Sequence, residues 1–353
     1  MRRAVVVAFG GAVLLAAAGW IALGLAPMQA WLFRMIAFHE AAKPAATLAD
    51  RDELSVLLCG TGSPLPDRTR GGPCTLIAAG DSYYLVDAGL DAARDLMLWR
   101  IPLEKIRGVF LTHFHSDHIG DLGEVRLQTW VAGRKAPLAV FGPPGVERVV
   151  NGFNEVYALD DGYRTAHHGA ALLPPDAAAL ASRPIQPGVV LDRDGLKVTA
   201  FLVEHHPATP AYGYRFDFHG RSIVVSGDTA PTQNLVRAAK DADVLIHEGL
   251  NPEMVGIMHD ALAAAGRPRQ AKIFHDIPGY HTAPIAAARI ANEAHVRLLV
   301  FSHIIPMLPN RVAEKLFLRG VSDIRSEGVE LGHDGLVLKL PAGGDRIDET
   351  GLR

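Results

Sequence analysis

Thr112-His113-Phe114-His115-Ser116-Asp117-His118-Ile119-Gly120-Asp121 places three histidines and two aspartates within ten residues. The apolar Gly108-Val109-Phe110-Leu111 ahead of it reads as a short buried strand, so the His-x-His-x-Asp-His run sits at that strand's C-terminal end. Alternate residues of an extended chain point the same way, which lets His113 and His115 aim at one ion from one side. The turn that follows carries Asp117 and His118 to a second position beside it. Imidazole nitrogen and carboxylate oxygen suit zinc and related transition metals. Two such metals roughly 3.5–4 Å apart can activate a water and clamp both reacting oxygens. A His-rich surface turn or a single structural metal has no need of this spacing at a strand end followed by glycine.

Outward from the motif, strands and helices alternate. Upstream, Ser55–Cys59, Thr75–Ala79 and Ser82–Val86 read as strands, the last two a hairpin around Gly80-Asp81, and 90–99 as a helix. Downstream come a helix over 122–132, a strand over 138–142 and a helix over 146–158. Residues 160–188 carry no clear period and read as an insertion over the pocket, with His167 and His168 as candidates to face a substrate. Strands follow at 197–203, 212–218, 221–226 and 243–246, then a loop carrying His259 and His275, helix 283–294, strand 297–302 and a late strand 336–340. The same order of elements occurs before and after the insertion. That suits an α/β fold of two sheets face to face with helices outside, an αββα sandwich.

Three later stretches offer further ligands at strand ends: Val203-Glu204-His205-His206-Pro207, Ser226-Gly227-Asp228-Thr229 and Phe301-Ser302-His303. With the first cluster, from about Leu54 to Leu340, the sequence resembles the metallo-β-lactamase-fold hydrolases. Within them it is most similar to the ribonuclease Z and arylsulfatase-like subgroup. The matching pieces are Cys59-Gly60-Thr61-Gly62-Ser63-Pro64, Arg70-Gly71-Gly72-Pro73, His113 to His118, Ser226 to Thr229, His247-Glu248 and Ser302-His303. The resemblance implies two divalent metal ions, with zinc the default. His113, His115 and His205 would hold one, and Asp117, His118 and His303 the other. Asp228 and a hydroxide would bridge them. His206 is the rival to His205, which fits better because Gly213-Tyr214-Arg215 lies downstream. The resemblance also gives His247, oriented by Glu248, the role of protonating a leaving group, with Asp117 in the catalytic set. His281 in Gly279-Tyr280-His281-Thr282 is expected in the pocket or behind a ligand. Asp87 and Asp121 are expected to accept from the outer nitrogens of ligand histidines. His259, His275, His295 and His333 read as surface or loop residues.

What is implied is hydrolysis of a small phosphodiester or arylsulfate ester by a di-metal-activated hydroxide. Acyl hydrolysis of a lactone, thioester or β-lactam is the alternative. A non-catalytic metal-binding domain at the membrane is a third reading. Only 22 residues separate His205 from Asp228, where tRNA-processing ribonuclease Z carries a long basic arm. The net charge of −3 and the lack of any long run of Lys or Arg point the same way, so no nucleic-acid partner is expected.

The chain has 353 residues and two cysteines, too few for a disulfide framework; Cys59 and Cys74 flank a turn and read as two buried thiols, with a disulfide between neighbouring strands the alternative. Gly60-Thr61-Gly62 lacks the third glycine of a nucleotide fingerprint and reads as a tight turn. At the N-terminus Arg2 and Arg3 precede 23 uncharged residues, Ala4 to Ala26. As a helix these span about 34 Å, against a hydrocarbon core of about 30 Å. The sequence therefore predicts a transmembrane signal anchor over 1–33, a linker over 34–53 and the hydrolase domain over 54–345; a signal peptide cleaved after Gly24-Leu25-Ala26 is the alternative, disfavoured by Pro27. The arginines stay inside the cytoplasm, so the domain is expected to be membrane-anchored and periplasmic or otherwise extracytoplasmic.

Overall fold

A computed structural model describes Gly24 and residues 26–352. The chain divides into two units, Met1–Ala45 and Ala46–Arg353. In the first, helix α1 (Ala26–Ala42) has no buried residue. It occupies ground that the sequence reading gave partly to a linker. The predicted anchor over 1–33 falls mostly outside the described residues. Among the described residues no helix is long and apolar enough to cross a membrane.

The second unit is built on β1 (Glu53–Gly60), β2 (Cys74–Ala79), β3 (Ser82–Val86), β4 (Ile106–Phe110), β5 (Leu138–Gly142), β6 (Leu180–Pro184), β7 (Gly188–Arg193), β8 (Leu196–Val203), β9 (Ala211–Phe218), β10 (Arg221–Val225), β11 (Val244–Leu250), β12 (Leu298–Ile305), β13 (Val329–Leu331), β14 (Leu336–Pro341) and β15 (Asp348–Gly351). One sheet runs β15-β14-β1-β2-β3-β4-β5-β6 and the other β13-β12-β11-β10-β9-β8-β7. Val56, Ile77 and Phe110 of the first interleave with Val198, Tyr214 and Ile246 of the second, which makes the apolar layer between the sheets. Strand positions one residue out of phase face outward. On the first sheet they meet helices α2 (Ala92–Leu98), α4 (Leu122–Val131) and α5 (Val146–His168), through Leu85, Val109, Leu96, Val125 and Val150. On the second they meet α6 (Gln233–Ala238), α9 (Pro284–Glu293) and α10 (Arg311–Phe317), through Val224, Leu245, Leu235, Ala287 and Phe317. A one-turn helix, α3 (Ser116–Ile119), follows β4. The αββα sandwich is thus formed by two sheets whose central strands are buried on both faces.

Three expectations change. Cys59 and Cys74 form a disulfide, because antiparallel pairing of β1 with β2 sets Gly60 opposite Cys74 and leaves the two Cα atoms 4.9 Å apart. The stretch 160–188 is not irregular. Helix α5 continues to His168, and the remainder supplies β6 and the approach to β7, an edge strand for each sheet. The loop carrying His259 and His275 is a helical pair, α7 (Pro252–Ala264) and α8 (Pro268–Asp276), which has its own small core of Leu250, Val255, Phe274 and Ile305.

Candidate metal centre

The donors come from the C-terminal ends of β4, β8 and β10 and from within β12, so both sheets feed one point. Tyr214 Oη donates to Leu111 O at 2.6 Å and Tyr212 N to Thr112 O at 2.9 Å, tying the β4 loop to β9 of the opposite sheet. Gly227 has φ +62°, and a Cβ there would lie 2.7 Å from Tyr212 O. That turn aims Asp228 inward and admits only glycine.

Donor atoms of His113, His115, His205 and Asp228 lie within 4.8 Å of one another, as do those of Asp117, His118 and His303. Asp228 Oδ2 is common ground. It lies 4.0 Å from His113 Nε2, 3.8 Å from His205 Nε2, and 3.3 Å from both His118 Nε2 and His303 Nε2. Asp117 Oδ2 is 3.3 Å from His303 Nε2 and 3.5 Å from His118 Nε2. His113 Nε2 stands 2.8 Å from His115 Nδ1, with His205 Nε2 at 3.3 Å from the same atom. His206 is exposed and faces Glu204 instead.

The residues fit a pair of divalent cations on their own chemistry. Imidazole nitrogens converge on two carboxylates, and His118 Nε2 and Asp228 Oδ1 are buried without a hydrogen-bond partner. Such atoms are costly unless something polar meets them. Burial, with the neighbouring His118 next, holds His113 well below the usual imidazole range, which leaves it a neutral donor. Burial also lowers His115 and His205. Burial opposes charge on Asp228, yet His303 and His118 hold its carboxyl well below the usual carboxylate range. Two divalent metal ions belong here, and an imidazole-rich set with carboxylates suits zinc.

Asp87 Oδ2 is 2.8 Å from His118 Nδ1, while Asp87 Oδ1 accepts from Thr112 N at 2.8 Å. Asp87 and His303 both sit at positive φ, +61° and +44°, an uncommon state for residues other than glycine. Asp121 does otherwise than expected. It accepts from Ala93 N at 2.7 Å and supports the start of α2 rather than a ligand histidine.

His247 also departs from expectation. Along β11, Val244 and Ile246 face the inter-sheet layer and Leu245 the outer helices. His247 is in phase with Leu245, fully buried, its Nδ1 donating to Glu248 O at 2.8 Å. It turns away from the metal donors because side chains alternate along a strand. Glu248, one residue on, faces them and pairs with a different histidine. Its Oε1 lies 3.2 Å from His281 Nδ1 and accepts from Thr282 N at 2.8 Å. His281 in turn shares a group with Asp228 and His303 whose donor atoms lie within 4.8 Å of one another. Burial works against a charged ring there, but Glu248 keeps the His281 pKa above its ordinary value. The signal for this pair was Gly279-Tyr280-His281-Thr282, where Thr282 brings a backbone N–H as well as the histidine. His167 and His168 end α5, exposed, and enter no metal-donor group.

Residues 67–282 match the metallo-beta-lactamase superfamily model. The chain belongs to the metallo-beta-lactamase superfamily and is a metal-dependent hydrolase. Within it, the chain is 36% identical over 258 residues to a ribonuclease Z of Mycolicibacterium gilvum, covering 72% of this chain and 85% of that one. Two solved structures share the fold. The metallo-beta-lactamase fold protein YhfI of Bacillus subtilis has a TM-score of 0.60 at 20% identity, covering 82% of this chain and 100% of that one. The short form of human tRNase Z has a TM-score of 0.56 at 19% identity, covering 80% and 98%. These likenesses overturn the expectation of a small-molecule ester with no nucleic-acid partner, since the relative in sequence is named a ribonuclease. The short segment between His205 and Asp228 therefore does not separate this chain from that branch.

Proposed function

We propose that this chain hydrolyses phosphodiester bonds in RNA. The observation that carries the reading is the pairing of Glu248 with His281 beside two groups of metal donors, with Asp228 in contact with histidines of both. The ribonuclease Z relative supports RNA as the substrate class.

Two divalent cations, when bound, supply Lewis acidity and a nucleophile at neutral pH. The chain's own residues do the rest. Asp228 lies between the two donor groups and fixes their separation. Thr282 N and Thr229 N, at 2.8 and 3.3 Å from Glu248 Oε1, hold that carboxylate still. Glu248 orients the His281 ring and favours its protonated form, so His281 delivers a proton to the departing ribose oxygen. His115 is exposed at the mouth and leaves that side of the centre open to substrate.

The test is cleavage of a labelled RNA by the zinc-loaded protein, beside nitrophenyl sulfate, a lactone and nitrocefin. RNA cleavage that stops on chelation and returns with zinc is expected. Turnover of the sulfate, the lactone or nitrocefin with RNA left intact would sink the reading.

A further inference from the structure

A cavity of about 270 Å³ opens directly on the donor groups. One end carries His115, Asp117, Asp228, His281 and His303; the other is apolar. Leu65, Ile273, Ile277 and Tyr280 line that apolar part, with Leu65 and Ile277 packed on the small core of Leu250, Val255, Phe274 and Ile305. None of the lining residues is Lys or Arg. The nearby cations have other work. Arg70 lines the adjoining cleft, and its Nη1 donates to Thr61 Oγ1 and Gly332 O, both at 2.6 Å. Lys272, beside Ile273, pairs with Asp276. A substrate reaching the centre through this cavity has its phosphate charge met at the metal end alone. What lies next to the phosphate meets apolar surface.

Tyr280 fixes the distance between the two ends. Its ring centroid is 5.2 Å from that of His205 and 4.9 Å from that of His281, and its backbone oxygen accepts from His205 Nδ1 at 3.1 Å. The aromatic surface is thus locked to the metal end, within one sugar's reach of a bound phosphate. A flat ring with polar edges, carried next to a phosphate, matches this wall. Stacking on an aromatic side chain tolerates any base, because each has a π-face.

We propose that the Leu65, Ile273, Ile277 and Tyr280 wall is a stacking subsite for one unpaired nucleobase next to the scissile phosphate. It rests on the reading of the centre as an RNA phosphodiesterase. The base is held by stacking, not by a cationic clamp. A base kept within a duplex cannot enter a cavity of this size, so the subsite selects single-stranded RNA.

The full zinc-loaded chain is titrated calorimetrically with adenosine 5′-monophosphate, ribose 5-phosphate and phenyl phosphate. The nucleotide is expected to bind tighter than ribose 5-phosphate by about 10–100-fold. Tyr280→Ala and, separately, Leu65→Ser should each bring that ratio several-fold closer to one. A parent ratio near one, or variants that weaken both ligands equally, overturns the subsite. Phenyl phosphate binding tighter than the nucleotide assigns the wall to an aryl ester and overturns the nucleobase. These ratios need no turnover, so failure of RNA hydrolysis refutes the proposed activity separately.

Discussion

Asp87 holds an imidazole in place from behind and has no need to touch substrate. Its two oxygens take His118 Nδ1 and the Thr112 N–H, both at 2.8 Å, and its own backbone is held at φ +61° to do so. Loss of such an outer partner typically costs about 10–100-fold in metal affinity or activity. Asp87→Ala should weaken zinc by that factor, read by competition with a chromophoric chelator. The two histidines near Glu248 give a sharper contrast. His281→Ala should lower kcat on RNA by about 10²–10⁴-fold, whereas His247→Leu should leave kcat nearly unchanged, because that ring lies on the far face of β11. Equal losses in the two variants would return the proton donor to His247. Asp121 supplies a pH signature. Burial pushes its carboxyl from 3.8 up to about 6. An acid with a raised folded pKa binds its proton more tightly in the folded state. Its contribution to stability is therefore complete below pH 3.8 and is lost as pH rises through about 6. Asp121→Asn keeps an oxygen for Ala93 N and should remove that fall. The check is denaturant unfolding at steps across pH 4 to 7, where the variant should gain on the parent at the upper end.

At the scale of elements, the Cys59–Cys74 bridge closes a sequence separation of 15 between β1 and β2. A loop of that length is worth about 3 kcal/mol in the chain-entropy account. Cys59→Ser/Cys74→Ser should lose roughly that much in denaturant unfolding, and reductant should lower the parent alone. Helix α5 depends on a different tie. Arg126, buried on α4, reaches both oxygens of Asp161. Asp161→Ala would strand a buried guanidinium, a loss of about 3–5 kcal/mol. The same pair explains a sequence misreading. Asp160-Asp161-Gly162 looks like a helix stop, and beyond it the helix buries no apolar stripe, since Val146 and Val150 are its only buried residues. With no apolar period in its C-terminal half, only the partner on α4 marks it as helical. Strands β2, β3 and β5, by contrast, were legible to within a residue, because each is a short, largely buried apolar run bounded by turn residues. The Glu248–His281 pair was half legible. The two motifs could be seen, but which of His247 and Glu248 faces inward depends on strand phase, and a shift of one residue exchanges the faces.

For the whole molecule, the two sheets are joined by more than the apolar layer between them. His113, His115, Asp117 and His118 follow β4 of one sheet, while His205, Asp228 and His303 come from β8, β10 and β12 of the other. A cation pair at their meeting point is a staple between halves of the sandwich. Without it, convergent imidazoles and carboxylates are left buried with His118 Nε2 and Asp228 Oδ1 unpartnered. A ligand at a hundred times its dissociation constant adds about 2.7 kcal/mol to the folded state. In a unit of this size each kcal/mol moves Tm by about 1–2 °C. Chelation should therefore lower Tm by about 3–5 °C, and zinc should restore it. Asp228→Ala removes the carboxylate common to both groups and should abolish the zinc-dependent rise along with RNA cleavage. Differential scanning calorimetry of parent and variant, each with and without zinc, checks this. A variant that still gained its full zinc shift would mean that Asp228 does not join the two ions.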